Sequence, residues 1–366
     1  MASPPIALSD LVFASASPSQ RLSSWTLNGT SWAAPLSVPA YVARELTLSA
    51  TALASHARSG YWVLHRRDDP EDVVAGCETT AKQLLVADAQ GSRVVDAYAI
   101  ASVFTDPKYR GLGLASFMLR ELQGVVDGEA EAGALYSDIG RVFYTKLGWR
   151  DFRSPQVTIT FDDGFTPPDA PSSGVKVRLL DEADVAALCD KDVAAVTQRF
   201  DALAQHADGR THIAFLPTFT QMAWHFARDT YNARDMLSRS VTHRGAATAD
   251  GASWLYWDHD VRERKLKILR VVTDPAASAE QRAANVVALV WAAVAEASDW
   301  GFPSVLAWSP GAEVCDAALA VWRGGAGKVV VRFDEREAGS IPSLRWREGR
   351  DVGDIVWEDN EYYAWC

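Results

Sequence analysis

The sequence has 366 residues, of which 48% are hydrophobic, so it can form about two domains with a large buried core. Its net charge of −11, from 47 acidic and 36 basic side chains, disfavours a nucleic-acid partner, which would require a basic face. The four cysteines and seven histidines show no metal-binding spacing and no stretch is apolar enough to span a membrane, so we expect a cytoplasmic protein with reduced thiols, no metal and no membrane partner.

The first half of the chain alternates between stretches with strand and helix periodicity. The first 20 residues are rich in Ser, Ala and Pro, with apolar positions that could pair as an edge strand. The elements predicted after them are a helix over 38–53, strands over 60–65, 73–87 and 93–105, a helix from 114 to 122, a strand over 134–139, a helix over 141–149 and a closing strand over 156–161.

A glycine turn, Arg110-Gly-Leu-Gly-Leu-Ala115, joins the strand over 93–105 to the next helix, and Pro107 ends that strand. A strand, a tight turn and a helix in this order point backbone N–H groups and the positive helix end at one spot, which suits a phosphate. Gly111 and Gly113 let a ligand approach the backbone. The turn lacks the third glycine of a dinucleotide fingerprint, and the chain has no P-loop pattern.

A stretch rich in Pro, Asp, Ser and Gly predicts a linker over 166–174, which would separate domains at 1–165 and 175–366. Beyond it the element order of the first half begins again. At the position of the glycine turn, however, the chain reads Asp274-Pro-Ala-Ala-Ser278, without glycine. We therefore interpret the second half as a degenerate copy that does not hold the phosphate ligand. Its predicted elements are strands over 175–179, 251–257, 265–273 and 304–308, a helix over 182–204 capped by Asp181, and a helix over 279–300.

Two motifs of the first half resemble those of the GNAT N-acetyltransferases. Arg-x-x-Gly-x-Ala after a strand resembles their acetyl-CoA loop, and Phe143-Tyr-Thr-Lys-Leu-Gly-Trp149, about 30 residues later, resembles the second half of that fold. With the segments 102–111, 135–140 and 360–366, the chain resembles the fungal N6-lysine acetyltransferase family of lysine catabolism. The resemblance implies an α/β GNAT acyl-CoA N-acyltransferase fold followed by a second, degenerate GNAT-like domain that contributes to the substrate site. It also implies transfer of acetyl from acetyl-CoA to the ε-amine of free L-lysine.

The resemblance assigns cofactor contacts and a general acid. Backbone N–H groups of the turn would contact the pyrophosphate, and the end of the central strand would pair with the pantetheine and polarise the acetyl carbonyl. Tyr144 lies where the family often has its general acid, and a phenol suffices because a thiolate leaving group needs only a weak acid. The predicted acetyl-CoA contacts are Val103, Phe104, Thr105, Arg110, Gly111, Leu112, Gly113, Leu114 and Ala115.

An ε-amine with a pKa of about 10.4 is protonated at pH 7, so a base must accept a proton. The candidates are Glu78, on a strand that faces the substrate in this fold, and Asp138, at the end of a later strand. A third is the α-carboxylate of Cys366, because four aromatic residues in the last ten would anchor this segment on the second half. Some tandem GNAT enzymes are thought to use a terminal carboxylate in this way. Alternatively, Glu78 and Asp138 are surface or structural carboxylates, and the C-terminal segment has a packing role only.

Trp224 and His225 belong either to the core or to the wall of the lysine site at the domain interface. Arg228, one turn after Trp224, could pair with the α-carboxylate of the substrate. Other acceptors remain open, namely a polyamine, an amino-acid analogue or a secondary metabolite, and so does a non-catalytic CoA-binding sensor. A protein substrate is disfavoured, because a second domain over the cleft leaves little room for a peptide.

Overall fold

The computed structural model describes residues 6–162, 164–168, 174–206 and 208–365, which form two mixed sheets flanked by helices. The helices are α1 (Pro18–Trp32), α2 (Val38–Ser49), α3 (Leu114–Glu129), α4 (Val142–Thr145), α5 (Glu182–His206), α6 (Phe219–Leu237), α7 (Ala279–Asp299) and α8 (Ala312–Gly324). The strands are β1 (Leu11–Ser15), β2 (Gly60–Arg66), β3 (Val73–Asp88), β4 (Gly91–Thr105), β5 (Ala132–Ser137), β6 (Arg150–Asp151), β7 (Pro155–Phe161), β8 (Val177–Leu180), β9 (Thr211–Phe215), β10 (Gly245–Thr248), β11 (Trp254–Asp260), β12 (Lys265–Val272), β13 (Ser304–Trp308), β14 (Val329–Glu335), β15 (Ile341–Trp346) and β16 (Ile355–Trp357).

Several helices begin at residues whose side chains accept hydrogen bonds from the first turn. Ser17, Ser37 and Ser278 cap α1, α2 and α7 in this way. The Asp181 carboxylate accepts the N–H of Asp184 at 2.8 Å, which confirms the predicted cap of α5. Helix α1 was not predicted, because its many Ser, Thr, Asn and Gly residues give it a weak apolar face.

The first sheet has the strand order β1-β2-β3-β4-β5-β15-β6, and β9 and β16 continue it beside the far end of β3. Six of these strands, β1 to β6, come from the first half of the chain, whereas β9, β15 and β16 come from the second half. The apolar face of α3 covers one side of this sheet. Leu114, Met118, Leu119 and Leu122 follow helical spacing on that face and are fully or almost fully buried.

The second sheet has the order β14-β7-β13-β12-β11-β10-β8. Strand β7 forms where the closing strand of the first half was predicted over 156–161. Its role as the closing strand of that half was wrong, since it pairs with β13 and β14 in the second sheet. Strand β15 pairs with β5 instead. Alternate side chains of β7 pack in the core of the second sheet together with residues of α7. An alternating pattern predicts that one face of a strand is buried, but it does not identify the sheet to which the strand belongs. Each sheet thus contains strands from both sides of the predicted linker at 166–174, and the division into two domains at this linker stays a prediction.

A shared core lies between the two sheets and holds the last part of the described chain. Residues from both sheets and from the segment near the C-terminus pack together there, including Leu84, Ala97, Ala134, Tyr256, Leu269, Leu306, Tyr362 and Tyr363. The two halves are thus fixed to each other by one apolar cluster. No helix among the described residues combines the length and the hydrophobicity needed to cross a membrane.

Candidate active site

Two neighbouring parallel strands separate at the centre of the first sheet. Strands β4 and β5 are paired as far as Ile100 and Leu135, whereas β4 continues to Thr105. Ser102 has a positive φ of 53°, and the register between β3 and β4 shifts beside it, which is a β-bulge. The bulge turns the end of β4 away from β5, so its backbone faces an open groove.

This groove has a volume of about 670 Å³ and extends from the bulge to the start of α3. Gly113 precedes α3 in the left-handed conformation, with φ of 76°, and among the described residues no side chain caps the helix start. A Cβ at Gly111 or Gly113 would meet no described atom within 4 Å, so both glycines border open space. Free N–H groups at a helix start suit a pyrophosphate. The predicted acetyl-CoA contacts that line the groove are Val103, Phe104, Thr105, Arg110, Gly111, Gly113, Leu114 and Ala115, whereas Leu112 is 40% exposed and is not among the lining residues.

We expect Gly113→Ala to weaken acetyl-CoA binding roughly tenfold, because an L-residue is strained at this φ and its methyl group would enter the phosphate space. Isothermal titration calorimetry would measure the change. Gly124→Ala is the matched control, since Gly124 lies exposed within α3 with open space around it, and alanine is favoured there. An unchanged affinity in Gly113→Ala would contradict the assignment of this turn to the pyrophosphate.

A second cavity, of about 210 Å³, opens from the inner end of the groove. The two spaces share the residues Trp32, Ile100, Ala101, Ser102, Tyr136 and Asp138. Both halves of the chain build its remaining wall. The first half supplies Tyr41, Arg44, Glu45, Leu48, Tyr61 and Glu78, and the second supplies Trp224, Arg228, Arg262 and Trp365. A group bound in the groove would therefore meet a group bound in this cavity at the bulge of β4.

Glu78 lies on β3 beside the bulge, and its Oε1 accepts the indole N–H of Trp25 at 3.1 Å. Burial, reinforced by the nearby Glu45 carboxylate, raises the pKa of Glu78 to about 7, although the hydrogen bond from Trp25 opposes this rise. A carboxylate with such a pKa is partly ionised at neutral pH and can accept a proton. Its place in the cavity wall beside the bulge, together with this pKa, makes Glu78 a candidate base.

Asp138 lines both the groove and the cavity but is already engaged. Its Oδ1 accepts the N–H of Ser340 at 2.9 Å and the hydroxyl of Ser340 at 3.3 Å. The side chain is exposed to solvent. These bonds fasten the end of β5 to the second half of the chain, so the position of Asp138 is explained by a structural role.

Tyr144 lies in the groove wall and is only 8% exposed. Its ring contacts Phe143 and Trp149 edge-on, at centroid distances of 5.0 and 6.2 Å. Burial, with a smaller contribution from Asp138, raises the pKa of the phenol above its ordinary value. The phenol therefore keeps its proton at neutral pH and can donate it.

Arg228 brings a positive charge to the cavity wall from α6. It makes no hydrogen bond or ion pair with any residue in the described part of the chain, and its guanidinium lies 5.2 Å from the centre of the Trp365 ring. Burial opposes its charge, but the acidic groups around it, Asp260 foremost, together outweigh burial and raise its pKa. An available guanidinium beside a cavity suits a carboxylate ligand. Trp224 lines the same wall.

The position of His225 does not support the prediction that this residue contacts the substrate. The described residues that line the cavity do not include it. It is fully buried, its Nε2 lies 3.1 Å from the carbonyl oxygen of Tyr363, and burial lowers its pKa to about 3. His225 is therefore a neutral packing residue. Cys366 lies outside the described residues, although Trp365 before it lines the cavity.

The helix predicted over 38–53 was expected on the substrate side of the fold, but no residue of α2 was predicted to line the cavity. Its cavity-facing residues include Tyr41, Arg44 and Glu45. Their i, i+3 and i+4 spacing on one face was the available signal. No cluster of His, Cys, Asp and Glu suited to a metal ion occurs among the described residues.

Comparison with known proteins agrees with this geometry. The family described as the LYC1 GNAT-like C-terminal domain matches residues 165–366. A lysine acetyltransferase from Yarrowia lipolytica is 27% identical over 286 residues, which cover 65% of this chain and 70% of that protein.

Solved structures share the fold at low sequence identity. A GCN5-related N-acetyltransferase from Kribbella flavida has a TM-score of 0.56 at 16% identity, covering 93% of this chain and 72% of that one. A tandem GNAT protein from the clavulanic acid biosynthesis pathway has a TM-score of 0.51 at 11% identity, covering 93% and 100%. The predicted tandem GNAT fold and the predicted family are confirmed. The chain belongs to the LYC1-like family of GNAT proteins and is an acyl-CoA-dependent N-acetyltransferase.

Proposed function

We propose that the enzyme transfers the acetyl group of acetyl-CoA to the ε-amine of free L-lysine and forms N6-acetyl-L-lysine. The observation that carries this proposal is a single cavity with a basic carboxylate, Glu78, on one half of the chain and an available guanidinium, Arg228, on the other. Free lysine carries an amine and a carboxylate at its two ends, which match these groups. The Yarrowia relative named lysine acetyltransferase supports the same substrate.

The proposed mechanism is direct attack in a ternary complex, without a covalent enzyme intermediate. Glu78 accepts a proton from the ε-ammonium, directly or through water, which leaves a neutral nucleophile. Backbone N–H groups at the end of β4 polarise the thioester carbonyl. A nitrogen–carbon bond forms as the carbon–sulfur bond breaks, and Tyr144 gives its proton to the sulfur. The nitrogen then loses its second proton to the Tyr144 phenolate, directly or through water, which leaves the neutral amide. Asp138 and the carboxylate of Cys366 remain the alternative bases. A place in cytoplasmic lysine catabolism is part of the proposal and rests on the family resemblance.

We expect Tyr144→Phe to lower kcat about tenfold to a hundredfold with little change in KM, because a thiolate leaves without much help and the phenol acts only in the transition state. Steady-state kinetics with L-lysine would measure this. Phe keeps the ring packing against Trp149, so loss of stability is not expected. A kcat within about threefold of wild type would leave Tyr144 with a packing role only.

Thiol release from acetyl-CoA, measured with a panel of amines, tests the substrate. We expect the highest kcat/KM with L-lysine, and mass spectrometry of the product should place the acetyl group on Nε. Ornithine, spermidine and 1,5-diaminopentane serve as comparison amines. Preference for spermidine would support the polyamine alternative. Acetyl-CoA binding without thiol release from any amine would support the sensor alternative.

A further inference from the structure

The second half repeats the strand separation that forms the acetyl-CoA groove. Strands β12 and β13 are paired in parallel only as far as Ile268 and Ala307, whereas β12 continues to Val272. The register between β11 and β12 also shifts, between Tyr256 and Trp257. A groove of about 850 Å³ opens beyond this point, between the end of β12 and the starts of α7 and α8. It is the counterpart of the acetyl-CoA groove in the first half.

The loop before α7 has little left to offer a pyrophosphate. The carboxylate of Asp274 accepts the N–H of Ala276 at 2.9 Å, and the hydroxyl of Ser278 accepts the N–H of Gln281 at 3.2 Å. Pro275 has no N–H to donate. Because its own side chains use donors that a phosphate would need, this loop agrees with the prediction that the second half does not hold CoA.

We call residues 357–365 the tail segment, and its first part, residues 357–361, lines this second groove. Oε1 of Glu361 accepts the N–H of Val271 at 3.1 Å, and Val271 lies on the diverging end of β12. Oε2 of Glu361 accepts Nη1 of Arg270 at 2.6 Å. Arg270 also makes two bonds of 2.9 Å to the buried carboxylate of Asp192. A side chain of the protein thus occupies a backbone donor of the diverging strand, at a position equivalent to that of a pantetheine contact.

The same segment then reaches the cavity of about 210 Å³ that contains Glu78 and Arg228, which we call the amine cavity. The hydroxyl of Tyr363 donates a hydrogen bond to the carbonyl oxygen of Phe215 at 2.6 Å. The hydroxyl of Tyr362 accepts a hydrogen bond from Nζ of Lys267 at 3.2 Å. Tyr362 stacks on Trp365, which lines the cavity under Arg228. The tail segment is therefore continuous from Glu361 in one groove to Trp365 in the other site.

We propose that the tail segment is a built-in ligand of the second groove, and that Glu361 is a positioning residue that holds Trp365 and Arg228 in place for the amine. This inference rests on the proposed function for its kinetic readout. It explains why a domain without its own acyl-CoA site keeps the strand separation of one. The separation supplies the donors that hold the tail segment at Val271 and Arg270.

Glu361→Ala tests this proposal. Loss of a charge-assisted contact should raise KM for L-lysine at least about tenfold, leave kcat within about threefold, and leave the calorimetric Kd for acetyl-CoA unchanged. Chymotrypsin should cleave at Tyr362, Tyr363 or Trp365 faster than in the wild type. Glu313→Ala is the matched control, because Glu313 lines the same groove from α8 but pairs with Arg282.

An unchanged KM and unchanged cleavage in folded Glu361→Ala would overturn the proposal, and so would binding of two acetyl-CoA molecules per wild-type chain. If Glu361→Ala does not fold, Glu361→Gln, which keeps the acceptor for Val271 but removes the charge, should show a smaller rise in KM. If lysine is not the substrate, the same measurement is made with the preferred amine. Cleavage rate and acetyl-CoA stoichiometry do not depend on that choice, so failure of the proposed substrate is distinguishable from failure of this inference.

Discussion

Glu78→Gln should lower kcat/KM at pH 7 roughly 10²–10⁴-fold, the usual contribution of a general base. The amide keeps the shape of the carboxylate and can still accept the N–H of Trp25, so the cavity should remain intact. It cannot accept a proton from the ε-ammonium. The expected loss is therefore in kcat, with the Kd for acetyl-CoA unchanged.

The pH dependence of kcat/KM and of stability tests the role of Glu78 independently. Because the pKa of Glu78 is about 7, the kcat/KM of the wild type should rise through this pH as the carboxylate ionises, and Glu78→Gln should lose this inflection. The folded state holds the Glu78 proton more tightly than the unfolded chain, whose carboxyl has its ordinary pKa of 4.5. The stability that this proton contributes is complete below pH 4.5 and is lost as the pH rises through 7. Glu78→Gln should therefore have a higher melting temperature than the wild type at pH 8 and no such advantage at pH 4.

Asp138→Asn is the comparison variant, since Asp138 borders the same junction and its Oδ1 can be replaced by an amide oxygen for Ser340. We expect it to keep kcat within about threefold of wild type, because a surface hydrogen bond contributes little to the reaction. The reverse result, with Asp138→Asn inactive and Glu78→Gln active, would move the base to Asp138. Full activity in both would favour the carboxylate of Cys366.

The groove to which we assign acetyl-CoA could be predicted from sequence because its residues are neighbours along the chain. The strand, Pro107, Gly111, Gly113 and the start of α3 follow each other along the chain, and each has a local conformational reason to be there. The β-bulge at Ser102 could not be predicted. It shows only as a register shift between two strands and a positive φ at a residue that carries no distinguishing sequence signal.

The cavity proposed for the amine was less predictable because its wall is assembled from distant segments. Glu78 could be identified from its strand, but its raised pKa depends on burial and on Glu45 of α2. His225 and Arg228 lie on one helix, yet only Arg228 lines the cavity, since the tail segment covers His225. The pairing of β7 with β13 in the second sheet could not be predicted either, because alternating apolar residues indicate which face of a strand is buried but not which strand it pairs with.

Arg228→Gln should lower kcat/KM for L-lysine roughly a hundredfold, mainly through KM, because a substrate carboxylate would lose its charged partner. The decisive comparison is 1,5-diaminopentane, which is lysine without the carboxylate and should be affected by no more than about threefold. The ratio of the two kcat/KM values cancels any general damage to the fold, which matters because Asp258 and Asp260 lie near Arg228.

Arg262→Gln is the matched variant, since Arg262 also lines the cavity but is exposed, and we expect it to change the lysine to diaminopentane ratio far less. Arg228→Lys should restore only part of the preference, because an ammonium cannot make the two parallel bonds of a guanidinium. Equal losses for lysine and diaminopentane in Arg228→Gln would remove Arg228 from the carboxylate. A change of the ratio in Arg262→Gln alone would place the carboxylate at the outer rim of the cavity, with the amine still directed at Glu78.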